Sequence, residues 1–201
     1  MSQQVSENEF LDFKREISFE RKIPQEKIDK LKPEELAKLR KKELDEVKED
    51  WVLDLVAFAN SRGGQIIIGL EADSQERAYG LNPMLGDQAK RLADRLRNLA
   101  IEWVRPPISQ MEIAEFKIAA EEWIVIANVP DSQNKPHMCA YNDRTTFVIR
   151  DGNRKRTMTH DEIQRAFLTG PSERYMAQSL LELRSIGARL DGLEKNLRKA
   201  E

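Results

Sequence analysis

The residues with most chemical potential are carboxylates. Glu7 precedes Asp12 by five positions, Lys14 follows Asp12 by two, and Glu71 and Asp73 come directly after the apolar run 65–70. Carboxylates on neighbouring strand ends are hard oxygen ligands suited to Mg2+ or Mn2+. Such ions activate a water and stabilise the charge that develops on a phosphodiester, and a nearby lysine adds a positive donor. The candidate catalytic set is therefore Glu7, Asp12, Lys14, Glu71 and Asp73. Against it stands a plainer reading as solvated surface, because 35 of the 201 residues are acidic. The basic candidates are Lys135 and the run Arg150, Arg154, Lys155, Arg156, four cations within seven positions beside an Asp151-Gly152 turn, a pattern suited to phosphate contact. Other chemistries are disfavoured. There is no GxxxxGK[ST] motif, the glycines precede a strand instead of opening a helix, and His137 with Cys139 cannot close a tetrahedral zinc site.

The elements that must position these groups follow from periodicity. Leu11 and Phe13 alternate with Asp12, Lys14 and Glu16, the pattern of a half-buried strand. Residues 19–50 carry many charges of both signs, and from Pro33 onward Leu36, Leu39, Leu44 and Val47 form a narrow stripe, predicting a solvated helical insertion. Residues 51–62 read as a buried helix that Gly63-Gly64 ends, and 65–70 as a central strand. A polar loop over 71–80 precedes an amphipathic helix over 87–103. Strands are predicted over 110–119 and 123–129 as a hairpin, and over 145–150. Thr159 and Glu162 have capping-box spacing and open a further helix. In the tail, Leu183, Ile186, Leu190, Leu193 and Leu197 recur at alternating three- and four-residue steps, a coiled-coil seam about three heptads long. So short a seam needs a partner, and the favoured one is a second copy of the chain.

Two stretches resemble the Schlafen-type AlbA domain family: Glu7-Asn8-Glu9-Phe10-Leu11-Asp12-Phe13-Lys14, and Ala57-Phe58-Ala59-Asn60-Ser61-Arg62-Gly63-Gly64-Gln65-Ile66-Ile67-Ile68-Gly69-Leu70. Val129-Pro130-Asp131-Ser132, Lys135-Pro136 and Phe147-Val148-Ile149-Arg150-Asp151-Gly152 follow in the family's order, so the similarity runs from Glu7 to about Phe167. The resemblance implies an α+β domain with a mixed, mostly antiparallel sheet and flanking helices, used on nucleic acid. In eukaryotic Schlafens similar motifs supply a divalent-metal carboxylate triad that cuts transfer and ribosomal RNA, whereas many bacterial relatives are described only as DNA-binding. Carried over, the first acidic position falls on Glu7 and the second on Asp12, where Glu is usual. The third lies past Gly69, where the commonly acidic position is Ala72, so Glu71 or Asp73 takes its place. The implied metal ligands are Glu7, Asp12 and Asp73, holding Mg2+ or Mn2+. The family's zinc ligands are missing.

Composition sets the outer limits. Formal charge is −2, which disfavours a protein acting wholly through non-specific attraction to phosphate and leaves local basic patches as the route. The single Cys139 excludes an internal disulfide framework and fits a reducing compartment, and no run has the length to span a bilayer, so a cytoplasmic protein without membrane association is expected. The expected organisation is a domain over 1–170, including the 19–50 insertion, and a coiled-coil helix over 171–201. The expected function is a homodimeric module that binds DNA or RNA. The alternatives are a metal-dependent endoribonuclease acting on folded RNA, and an adaptor or sensor whose tail recruits a partner.

Overall fold

The structure, a computed structural model, describes residues 6–19, 28 and 31–168. The heptad positions 183–197 and the proposed tail helix 171–201 lie outside the described residues. The architecture is α+β, with three helices and several mostly antiparallel sheets among the described residues. None of the described helices is long and apolar enough to cross a membrane.

The main sheet has the order β1-β2-β7-β6, from β1 (Leu11–Lys14), β2 (Gly64–Ile68), β6 (Glu112–Lys117) and β7 (Trp123–Val129). β1 runs parallel to β2, and the other pairs are antiparallel. A parallel pair needs a long crossover, here supplied by α1 (Pro33–Asn60), a single 28-residue helix. The charged stripe from Pro33 and the apolar segment from Trp51, which periodicity reads as separate, are thus two halves of one rod about 42 Å long at 1.5 Å per residue. Pro33 occupies the first helical position, where its missing N–H is harmless.

α1 and α2 (Gly86–Trp103) pack on one side of the sheet. Strand alternation sends Ile66, Ile68, Val125, Ala127 and Ile113 to that side, where they join Leu55, Phe58, Leu96 and Trp103 in one buried cluster. α1 ends at the glycine pair. Gly63 has φ +73°, and a Cβ there would sit 2.5 Å from the Val129 carbonyl oxygen. At Gly64 a Cβ would meet the Phe58 ring at 2.4 Å. Only glycine lets the chain turn from helix to central strand against that ring and β7.

Smaller elements complete the domain. The stretch 71–80, expected as a loop, contains most of a hairpin of β3 (Leu70–Ala72) and β4 (Ala78–Leu81). The strand expected over 145–150 is divided between β9 (Arg144–Thr146), which joins β5 (Val104–Arg105) and β8 (Met138–Tyr141), and β10 (Val148–Asp151), which pairs with β11 (Arg154–Thr157). An apolar run shows that a strand is buried but not where it changes sheets. α3 (His160–Leu168) begins with the capping box: Thr159 N–H donates to Glu162 Oε2 at 2.8 Å, and Glu162 N–H to Thr159 Oγ1 at 3.3 Å.

Two polar details bear on assembly. Asn60 Nδ2 donates to the carbonyls of His137 and Val148 at 2.8 and 2.9 Å, and its Oδ1 accepts His137 N–H at 2.7 Å, tying α1 to two of the three smaller sheets. At the β6 edge, Arg97 of α2 donates to the Ile113 carbonyl at 2.8 Å and lies 3.6 Å from Glu115.

Candidate functional site

Period-two alternation puts Asp12 and Lys14 on the same face of β1, and one helical turn separates Asp50 from Asp54 on α1. In the hairpin β10–β11, Arg150 and Lys155 are register partners. These six side chains meet between the three elements. Lys14 Nζ lies 2.6 Å from Asp54 Oδ2, 3.4 Å from Asp12 Oδ2 and 3.9 Å from Asp50 Oδ2. Lys155 Nζ bridges Asp50 and Asp54 at 2.5 and 2.7 Å. Arg150 is 3.6 Å from Asp12, donates to the Asn8 carbonyl at 2.9 Å and lies 4.4 Å from the centre of the Phe58 ring. Three carboxylates face three cations, so buried charge is balanced.

The electrostatics follow from burial and proximity. Burial is the largest influence on Asp12 and raises its pKa, with Asp54 adding to the rise and Lys14 opposing it. Glu7 is raised too, first by burial, with Asp12 and Glu76 reinforcing this against the Phe13 N–H bond. For Lys14, burial pulls downward, but Asp54 and Asp12 outweigh it and hold the ammonium above its ordinary value.

The sequence candidates are therefore divided. Glu7, Asp12 and Lys14 are neighbours; Glu7 Oε1 accepts Phe13 N–H at 2.9 Å. Glu71 is engaged with Arg15 at 3.1 Å. Asp73 closes its own hairpin turn: Oδ1 accepts the N–H groups of Gln75 and Arg77 at 2.8 and 3.0 Å, and Oδ2 lies 2.9 Å from Arg77 Nη2. Among the described residues no three His, Cys, Asp or Glu side chains group closely enough to hold a metal ion. Glu7 Oε1 accepts a backbone N–H and Asp73 is engaged by Arg77, whereas Asp12 lies beside Lys14 and Arg150 at 3.4 and 3.6 Å and its buried Oδ2 accepts no hydrogen bond among the described residues. Glu7, Asp12 and Asp73 therefore do not come together as a three-carboxylate group in this arrangement.

The basic candidates are divided as well. Arg150 and Lys155 point into the network. Arg156 forms a bidentate pair with Glu162 at 2.8 Å and lies 3.3 Å from Asp151. Lys135 lies 2.6 Å from Asp131 and also donates to the Ser61 carbonyl. Arg154 is exposed, with no ion-pair partner among the described residues. Sequence reasoning missed Asp50 and Asp54. Asp54 did carry a signal: a lone carboxylate within Trp51-Val52-Leu53-Asp54-Leu55-Val56-Ala57-Phe58 has to be buried with a counter-charge.

An α+β domain whose basic hairpin is locked to its longest helix by a buried ion network is the class of protein that fold and site define. The sequence model of the Schlafen, AlbA_2 family matches residues 7–159, and the chain belongs to that family. No curated protein matches it. Among solved structures, the crystal structure of the DIP2311 protein from Corynebacterium diphtheriae is similar at 18% identity and a TM-score of 0.44, over 75% of this chain. The chain spans 25% of that protein's length.

Proposed function

We propose that the domain is a nucleic-acid-binding module that grips phosphates with the outer face of β11. The observation that carries this reading is the division of labour along that strand. Lys155 turns inward to Asp50 and Asp54, and period-two alternation turns Arg154 and Arg156 outward. The two arginines are spaced about 6.6 Å apart by strand rise alone. The buried network holds the hairpin still, so this spacing is set before a ligand arrives and little ordering entropy is lost on binding. Arg62 adjoins the same hairpin through Ser61, whose hydroxyl accepts Arg150 N–H at 2.9 Å. Arg156, whose side chain is 42% exposed, can exchange its surface carboxylates for phosphate, whereas Lys135 is half-buried and held by Asp131 and the Ser61 carbonyl.

Two copies joined through Leu183, Ile186, Leu190, Leu193 and Leu197 would double the patch; support for that step is the heptad spacing alone. The hydrolytic alternative lacks comparable support, because its carboxylates form no group of three among the described residues. The test is fluorescence anisotropy of the full chain with labelled duplex DNA and duplex RNA across a salt series. Each phosphate contact removed by Arg154→Ala or Arg156→Ala is expected to reduce the slope of log K against log salt by about 0.9 on duplex DNA. Unchanged affinity and slope in the double variant would overturn the assignment. Light scattering of the same sample reads the number of copies.

A further inference from the structure

The cations singled out beside the Asp151-Gly152 turn are mostly committed to partners, which raises the question of where uncommitted ones lie. Lys38, Lys41 and Arg144 are exposed; Lys38 and Arg144 make no ion pair among the described residues, and Lys41 acts on Asp45 only at longer range. All three line one groove of about 400 Å³ between the N-terminal half of α1 and the β8–β9 turn.

The groove is built by local rules. Lys38, Lys41 and Lys42 stand at i, i+3 and i+4, so they share a flank of α1. Opposite them, Asn142 and Asp143 have φ of +49° and +59° between the register partners Tyr141 and Arg144. Two successive left-handed residues make a two-residue type I′ hairpin, a tight turn that fixes where Arg144 emerges. Asp45 is only 17% exposed and is held by Lys48 at 3.3 Å and by the Tyr141 hydroxyl, whereas Lys42 at the rim is 74% exposed and only loosely paired with Glu46 at 3.9 Å. Glu46, 53% exposed, shares the rim and Glu49 the lining, so a ligand approaching from solvent meets four cations against three carboxylates.

The shape of the groove narrows the choice of ligand. An open polar surface is a poor small-molecule site, which is normally concave and largely apolar. Protein interfaces need apolar or aromatic anchors at their centre. The one ring here, Tyr141, is already stacked on Trp103 with centroids 3.9 Å apart. Point charges on flexible stems at an exposed rim suit a polyanionic backbone, where each contact releases a counterion. Asp45 lies roughly 180° around α1 from Asp54, nine residues at 100° each. The groove is therefore a different surface from the β10–β11 hairpin.

We infer that this groove is a second phosphate-contacting surface for nucleic acid, carried by Lys38, Lys41 and Arg144. The inference rests on the nucleic-acid reading above and adds a site to it. The experiment is anisotropy of the full chain with labelled duplex RNA and duplex DNA, each over a salt series, comparing K38E/K41E/R144E with R154A/R156A. The groove variant is expected to lose about tenfold or more in affinity at low salt, with its salt slope lower by about 2–3. Combined with R154A/R156A, the losses add, as they do for separated sites. The milder K38Q/K41Q/R144Q gives a smaller loss in the same direction, and an unchanged urea midpoint shows that the fold is intact. Wild-type binding that the groove variants leave unaltered overturns this inference and spares the hairpin reading. Failure of wild type to bind either duplex removes both.

Discussion

The two halves of α1 have the same helical backbone but treat charge in opposite ways. Every buried residue of the helix lies from Trp51 onward, including the polar Asp54 and Asn60, and none lies in the first half. In the second half a charged or polar side chain acts as a tie: Asp54 holds two lysines, and Asn60 holds two sheets. In the first half Lys38 is exposed with no ion pair among the described residues, and Lys41 is exposed and acts on Asp45 only at longer range. Residue type does not decide the role of a charge here. What decides it is whether the surrounding elements remove water from it, because a desolvated charge must be paired whereas a solvated one gains little by pairing.

The sharpest way to break the comparison is Asn60→Ala. It leaves His137 N–H and the carbonyls of His137 and Val148 unpaired in the interior, and about 3–5 kcal/mol of stability should be lost in urea unfolding. Next is Lys14→Met, which leaves Asp12 and Asp54 short of a counter-charge and should cost about 3 kcal/mol. Adding Asp54→Leu should recover part of that loss, since an apolar replacement of a buried pair is tolerated better than half of one. A purely additive double variant would mean that the pair is not coupled.

The third test uses pH. Burial pushes the His137 pKa below its ordinary value, with the neighbouring Lys135 charge acting the same way against the Pro106 carbonyl bond. The folded state therefore binds fewer protons than the unfolded one, so this stability is present above pH about 6.5 and is lost as pH falls through the depressed folded value. Stability should decline from pH 7 toward 5.5 by at most about 1.4 kcal/mol per pH unit, and His137→Gln should flatten that slope. The smallest effect belongs to the other half of the helix. Lys38→Ala and Lys41→Ala should each shift stability by no more than about 0.5 kcal/mol.

Much of the scaffold was legible because it obeys local rules. The amphipathic period of α2, the glycine pair after Asn60 and the Thr159–Glu162 box each have a physical cause confined to a few residues. The β3–β4 hairpin was not legible, because its strands are only three and four residues long and neither buries a continuous apolar face. The site was half legible. Asp12 and Lys14 could be placed together by strand alternation, but Lys155 could not be assigned to Asp50 and Asp54 across 100 residues of sequence. A run of cations looks the same whether its members face solvent or a buried carboxylate, and only the fold of the hairpin onto α1 distinguishes them.

The guanidinium of Arg97 on the Ile113 carbonyl has a consequence beyond the monomer. β6 ends the main sheet, and an open strand there would offer a ladder on which another chain could lay itself down and begin a growing stack. With that carbonyl already satisfied and Glu115 drawn alongside the same side chain, an incoming strand loses a rung near the start of the ladder. The arginine therefore blunts this rim as a template for strand addition.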